Sequence, residues 1–572
     1  MILAGAVCID FHFIYGGLPP NTCAVLRPAR QKKRKKGRQV RTHILFKKTR
    51  IPFFIVINKT IIILLSSAVR MDRKKNLFSL SRNVDSLVAA ILGFLLIQLF
   101  SRHSGIGISP DSVTYLSTAR HLVQGRGFIS FEGLPTVDFP LAYPLFLAGI
   151  SAVSGLDPLQ FAPVLNGILF GILLYISGSL MNGFFRTGGW YKRILLTALW
   201  MSPALQEVYS MLWSETLFLP EILLFIICLS NYLRQPGRIW WLATVVICAL
   251  ACVTRYAGIF MIPVGCIFIF AASDWRRPGF FRAVFFGFFS ALPFLINIFR
   301  NQILTGTATG LRPPNNAGIG RIMENMGAVI SDWLMITYHP VVEIVLALTA
   351  VLIFIVAGFV TYRRDRKSLE CIVALTGLFY VLFMTGTALF TRYEPFSNRL
   401  LSPLYVLLLW SASAGIPSWL EKRTPAWRMG SGLLLLTCTA VFLHSALKAD
   451  YEFYDGVKDA GIPGYTEDPF VNEEVTQWVI ENKNNFDPQV PIYSNAGDAV
   501  YFVTGLTARQ LPFTDFPERV QQFLKEKSFY LIWFEDPANL QMPSLDFLLS
   551  HKSFRVVKKL NDGIVLATTP AP

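Results

Sequence analysis

Five charged residues stand out in a chain this apolar: Asp111, Glu215, Arg255, Arg300 and Arg399. A positioned carboxylate can take a proton from a reacting hydroxyl. A guanidinium presents a planar fork of donors that suits phosphate and carboxylate oxygens. Charge inside membrane segments is costly, so it normally has a partner or a task. Together these residue types can bind an anionic group and remove a proton beside it. Bland roles compete for each of them. Asp111 follows Ser109-Pro110 at the start of a helical pattern, with Tyr115, Ala119 and Leu122 on one side and Gly125 past its end, where an aspartate ordinarily serves as a cap. The arginines can snorkel to a surface, and Glu215 can simply pair with one of them.

The elements that must hold these residues are set by composition. Of 572 residues, 53% are hydrophobic and only 16% charged, against about one quarter charged in soluble domains. A soluble multi-domain protein is excluded. The formal charge of +17 is unevenly placed: residues 1–70 hold 14 of the 53 Lys and Arg and a single acid, Asp10. That segment carries +13 and the remainder +4. Met71 then opens Met-Asp-Arg-Lys-Lys ahead of an apolar span, which predicts that translation starts at Met71 and that 1–70 is a basic extension outside the working protein. The alternative is a basic arm on nucleic acid or anionic lipid. With the extension set aside, the charge gives no argument for a nucleic-acid partner.

Apolar runs near the 20-residue crossing length, tested against the positive-inside rule, predict about eleven transmembrane helices. They fall near 85–100, 161–181, 194–209, 214–232, 239–253, 256–272, 283–299, 341–360, 370–390, 400–417 and 430–447. Every clustered basic loop then lies on one side, the cytoplasmic one, including Arg363, Arg364, Arg366 and Lys367. The apolar stretch Ile51–Val69 is excluded as a span because it would put basic groups on both sides. The predicted organisation is a transmembrane domain over 71–448 with a folded first outer loop over 102–158, then an extracytoplasmic α/β domain over 449–572. In that domain helices are expected near 472–482 and 517–526, and strands near 491–494, 530–534, 555–559 and 564–568. Cys228, Cys248, Cys252, Cys266, Cys371 and Cys438 lie in apolar runs without a CxxC pair, and the histidines lack metal-ligand spacing, so no metal site is encoded in them.

The ordered landmarks resemble the GT-C membrane glycosyltransferases, in the branch of protein O-mannosyltransferases, lipid A aminoarabinose transferases and lipopolysaccharide galacturonosyltransferase-like proteins. They are Asp111-Ser-x-x-Tyr115, Gly125-x-Gly127 and Pro140-x-x-Tyr143-Pro144 in the first outer loop. Ser214-Glu215, Thr254-Arg255-Tyr256, Arg300-Asn301 and Asn398-Arg399 follow at span ends expected on the same side. The match covers about residues 85–450. The resemblance implies transfer of a sugar from a polyprenyl-phosphate-linked donor to a lipid, glycan or protein acceptor at the extracytoplasmic face of a bacterial inner membrane. It implies Asp111 as the general base, with Arg255, Arg300 and Arg399 on the donor phosphate and Ser112, Tyr115, Tyr143, Tyr256 and Asn301 lining the cavity. Many relatives carry Asp-Glu where this chain has Asp111-Ser112, so the second acid falls to Glu215, Asp138 or Glu132. Some relatives at this fold level use a divalent cation, although no Asp-x-Asp pair is present here. Two other readings fit eleven spans with a few charges: a transporter or flippase of a lipid-linked or anionic substrate, and a non-catalytic assembly protein. Transporters usually carry inverted repeats and midplane breaks, neither of which is visible.

Overall fold

The computed structural model describes residues 83–184, 189–334, 339–392, 394–414, 416, 424–535 and 541–568. The expected start at Met71, the basic extension 1–70 and the excluded stretch Ile51–Val69 lie outside these residues. The described chain is mostly helical, with a small sheet near its C-terminal end. Six helices are long and apolar enough to cross a membrane: Pro158–Asn182, Glu215–Arg234, Arg277–Thr305, Pro340–Asp365, Leu369–Phe390 and Pro425–Ala460. Further expected crossings fall on the shorter apolar helices Val84–Phe100, Arg238–Thr254 and Tyr256–Ala271. The described residues thus give six long spans and further short apolar helices, and they do not fix the count at about eleven.

In chain order, α1 is Val84–Phe100, α2 Pro110–Val123, α3 Ala142–Ser154 and α4 Pro158–Phe184. Helix α4 packs along α1, and small residues permit the approach. A Cβ on Gly171 would lie 3.0 Å from the Ala90 carbonyl oxygen, and one on Gly167 would lie 2.8 Å from the Phe94 ring. The expected span 194–209 is broken into α5 (Gly189–Trp200) and α6 (Pro203–Ser210). Ser202 accepts the Leu205 N–H and Pro203 occupies the first turn, so a new helix starts where an apolar run continues. Next come α7 (Glu215–Arg234), α8 (Arg238–Thr254), a 3-10 turn (Tyr256–Phe260), α9 (Met261–Ala271) and α10 (Arg277–Thr305). Helix α7 is buried on nearly all sides, whereas α10 exposes Phe280, Phe281, Phe285 and Phe288. An apolar helix surface left uncovered by protein suits lipid contact.

The stretch between α10 and the next long helix contains the amphipathic helix α11 (Ile319–Leu334), which buries Ile322, Met326 and Ile330 on one face. Helices α12 (Pro340–Asp365), α13 (Leu369–Phe390), α14 (Asn398–Ser413) and α15 (Pro425–Ala460) complete the bundle, and α15 runs on well past the expected apolar span into the C-terminal domain. That domain contains α16 (Asp468–Val471), α17 (Glu474–Asn482), α18 (Gly497–Thr504), α19 (Pro517–Leu524) and α20 (Leu545–His551). Its strands are β1 (Ile492–Ser494), β2 (Ala508–Gln510), β3 (Tyr530–Phe534), β4 (Phe554–Lys559) and β5 (Gly563–Thr568), in the order β2-β1-β3-β5-β4. β1 pairs in parallel with β2 and β3, and β5 is antiparallel to β3 and β4. Strand β2 and helices α16, α18 and α20 lie outside the expected segments; each is short, and its residues carry no pattern that separates them from the flanking loops.

The C-terminal domain is stitched to the segment that leads into α2. The Tyr465 N–H donates to the Ile108 carbonyl at 2.8 Å, and the Thr466 hydroxyl donates to the Ile106 carbonyl at 3.1 Å. On the other side of that segment, the Gly107 N–H donates to Ser210 O at 2.9 Å and the Leu212 N–H to Gly107 O at 3.1 Å. Residues 106–108 are therefore held between the α6–α7 connection and the domain. Gly464 allows the contact, having φ of +126° and a backbone so close that an added Cβ would be 2.4 Å from the Ile108 oxygen. This defines the domain-bearing end of the bundle.

Candidate active site

Ser109 opens α2. Its Oγ accepts the Ser112 N–H at 3.4 Å while the Ser112 Oγ accepts the Ser109 N–H at 3.1 Å, a reciprocal capping box with Pro110 in the first turn. The capping role that the sequence offered to Asp111 is filled by this pair. Asp111 lies in the first helical turn, where the helix dipole favours negative charge. Its Oδ2 is 2.6 Å from Arg399 Nη1, and Oδ1 has no protein hydrogen bond among the described residues. The Asp111 side chain is 29% exposed, whereas that of Arg399 is 8% exposed, so the acid is the accessible member of the pair.

Glu215, the first residue of α7, is 1% exposed. Its Oε1 accepts Arg399 Nε at 2.6 Å and also contacts Arg255 Nη1. The Ser214 hydroxyl donates to Oε2 at 3.3 Å and accepts from Arg255 Nη1 at 3.0 Å. The Tyr115 hydroxyl is 3.2 Å from the same Ser214 Oγ. Two carboxylates and two guanidiniums thus form one alternating cluster, Asp111–Arg399–Glu215–Arg255, with Glu394 3.8 Å from Arg399 at its rim. Trp213 supports it from below: the Arg399 guanidinium lies 4.7 Å from the indole centroid, and the indole N–H donates to Ser109 Oγ at 2.8 Å. Burial pushes the Tyr115 phenol far above its ordinary range, with Asp111 adding to the effect and Arg399 opposing it. Tyr115 therefore stays a neutral hydroxyl and is not a base.

The third arginine of the expected phosphate set makes different contacts. Arg300 Nη1 donates to the Thr136 carbonyl at 3.0 Å and to Asn301 Oδ1 at 2.9 Å. Tyr256 donates to the Val137 carbonyl at 2.9 Å, and Asn301 Nδ2 reaches Tyr256 Oη at 3.1 Å and the Ala308 carbonyl at 2.9 Å. These three residues clamp the first loop onto α10 and the turn before α9. Asp138 is exposed at the edge of that clamp, its carbonyl accepting from Arg312 at 2.9 Å. Glu132 accepts the Gln510 N–H at 3.0 Å and so docks the C-terminal domain. Tyr143 is fully buried and packs edge-on against Tyr115, 5.1 Å between centroids, beneath the cluster.

The structure brings together Asp111, Glu215, Arg255 and Arg399 from four separate stretches of the chain. Sequence reasoning missed Ser109 as the cap, Trp213 as the platform and Glu394 at the rim. A usable signal existed in Trp213-Ser214-Glu215, which puts an aromatic face, a hydroxyl and an acid in succession at a span start. Among the described residues no three His, Cys, Asp or Glu side chains gather to hold a metal ion, and the acids of the cluster are bridged by guanidiniums. These donors do not fit a divalent cation.

No family model and no curated protein matches the chain. Among solved structures it is similar to ArnT from Cupriavidus metallidurans in the apo state, with a TM-score of 0.51 at 13% identity over 86% of this chain and 98% of that one. A second structure of that ArnT, bound to undecaprenyl phosphate, matches with the same TM-score, identity and coverage. The likeness is one of fold: the chain shares the overall architecture of these two ArnT structures.

Proposed function

We propose that the protein is an integral-membrane glycosyltransferase that moves a sugar from a polyprenyl-phosphate-linked donor to an acceptor hydroxyl, with Asp111 as general base. The observation that carries this reading is the alternating ion cluster at the domain-bearing end of an ArnT-like fold, in which Asp111 is accessible while Glu215 is buried. In the reaction the acceptor oxygen forms a bond to the anomeric carbon as the bond from that carbon to the phosphate oxygen breaks. The acceptor proton passes to Asp111, and the electron pair leaves with the polyprenyl phosphate. Arg399 and Arg255 supply the donors that receive the phosphate oxygens. Glu215 compensates both guanidiniums until then, which keeps two buried cations from standing unpaired. Arg300, Tyr256 and Asn301 act by fixing the first loop over the site. The ArnT bound to undecaprenyl phosphate supports a donor of this lipid class, and the same reading places the site at the extracytoplasmic face.

The test is transfer of radiolabelled sugar from polyprenyl phosphate in membranes holding the full chain. Asp111→Asn keeps the shape and removes the base, so transfer should fall by about 10²- to 10⁴-fold while the protein inserts and unfolds as the parent does. Full activity in that variant would refute the assignment of the base. Movement of intact donor lipid without sugar transfer would favour the transporter reading instead.

A further inference from the structure

A cavity adjoins the ion cluster through Trp213, and none of the residues placed in the transfer step above lines it. Its volume is about 270 Å³, just below the range of about 300–1,000 Å³ typical of small-ligand pockets. Its walls are mainly apolar, with Trp213 and Phe453 as aromatic faces, and its polar groups are Gln206, Glu207, Ser210 and Asp450. It lies between α6 and the end of α15, at the domain-bearing end. Two polar atoms here lack protein partners: Ser210 Oγ, on a residue 1% exposed, and Asp450 Oδ1. Buried polar groups are normally paired, so an unpaired hydroxyl and an unpaired carboxylate oxygen in one cavity point to a ligand or water that supplies the bonds.

The chemistry of the lining narrows that ligand. The Asp450 and Glu207 carboxylates can accept from neighbouring hydroxyl groups and the Ser210 hydroxyl can donate to or accept from them, while Gln206 already donates to the Trp200 carbonyl; no cation lines the cavity to receive a phosphate. Aromatic faces cover the apolar C–H side of a ring. The cavity also shares a residue with the cluster: Trp213 lines the one, and its indole lies under Arg399 of the other. Glu207 Oε2 accepts from Asn398 at 2.9 Å, and Asn398 immediately precedes Arg399. A ring seated here would lie beside the reacting phosphate.

We infer that this cavity binds one hydroxylated sugar ring, placed by Ser210 and Asp450 and stacked on Trp213. The inference rests on the glycosyl-transfer reading for its purpose, though not for its test. The ring can belong to the donor or to the acceptor, and the experiment separates the two. Full-length protein in lipid nanodiscs is titrated with a panel of methyl glycosides and the matching sugar 1-phosphates, and binding is read by saturation-transfer NMR. Ser210→Ala removes an unpaired hydroxyl and should leave thermal unfolding unchanged while weakening binding roughly 3- to 10-fold, and Asp450→Asn should weaken it about tenfold or more. Tighter binding of sugar 1-phosphates than of methyl glycosides, with the margin lost in Arg399→Lys, assigns the ring to the donor. Equal binding assigns it to the acceptor. If no glycoside in the panel shows binding that Ser210→Ala and Asp450→Asn weaken, the inference is overturned. Binding without any sugar transfer by the parent protein would overturn the enzymatic reading and leave this one standing.

Discussion

Replacing Glu215 with Gln tests whether the cluster is a phosphate site held in reserve or only a structural knot. The substitution keeps the shape of a side chain that is 1% exposed and removes the charge shared by Arg255 and Arg399. At 2.6 Å and an effective dielectric near 20, the Arg399 pair alone is worth about 6 kcal/mol of gross attraction. Desolvation cancels much of that in the intact pair. Stranding a buried cation by removing its partner costs about 3–5 kcal/mol. Arg399 keeps Asp111, so the cost falls chiefly on Arg255, whose side chain is 17% exposed, and the lower part of that range is expected. The variant then holds one uncompensated guanidinium. Polyprenyl phosphate should refill the vacancy, and at 100 times its Kd it returns about 2.7 kcal/mol. Thermal unfolding of purified protein in detergent, with and without polyprenyl phosphate, reads both effects. The variant should unfold earlier than the parent and gain more from the lipid phosphate. Equal stability without ligand, or equal stabilisation of both proteins, would refute the reasoning.

Three further outcomes are expected. Ser109→Ala removes the cap of α2 and the acceptor of the Trp213 indole, so it should cost about 1 kcal/mol of stability and lower transfer more than it lowers the amount of folded protein. Gly464→Ala forces φ of +126° on a residue with a Cβ and drives that Cβ into the Ile108 carbonyl, a cost of the order of 1–3 kcal/mol; faster limited proteolysis between α15 and the C-terminal domain should report it. The third outcome concerns pH. Burial raises the Asp498 carboxyl above its ordinary range even though the Tyr465 hydroxyl donates to it at 2.7 Å. The native state then holds this proton more tightly than the unfolded chain, so its contribution to stability falls as pH rises from the ordinary aspartate range through the raised value. Asp498→Asn should flatten that decline in unfolding scans across acidic pH; an unchanged slope would count against it.

Much of the fold could be read from hydropathy because membrane helices must satisfy their backbone internally and therefore leave long apolar runs. The runs that became α4, α7, α10, α12 and α13 lie close to their expected places. The misreadings occurred where another force overrides hydropathy. Ser202-Pro203 starts a new helix inside an apolar run, and α11 draws its stability from one buried face rather than from bulk hydrophobicity. For the site, Asp111 and Glu215 could be read as acids in unusual company, and Arg255 and Arg399 as cations at span ends. Their pairing could not be read, because it joins residues up to 288 positions apart through a fold with no local signature. Arg300 shows the same limit from the other side: its type and spacing match those of the other arginines, and only the nearby Thr136 carbonyl gives it a different bond.

The stitch beside residues 106–108 also sets a clock. Thr466 reaches Ile106 across 360 residues of sequence. At a synthesis rate of about 5–20 residues per second, that separation takes roughly 20 to 70 seconds to translate. Through this interval the segment leading into Asp111 lacks one of its two flanks, and Arg399 joins Asp111 only late in the same period. The bundle can therefore be inserted and lipid-bathed for most of its synthesis before the acid is set in place. On the glycosyl-transfer reading, a nascent chain of this kind stays inactive until both flanks are in place, and a chain released early stays so.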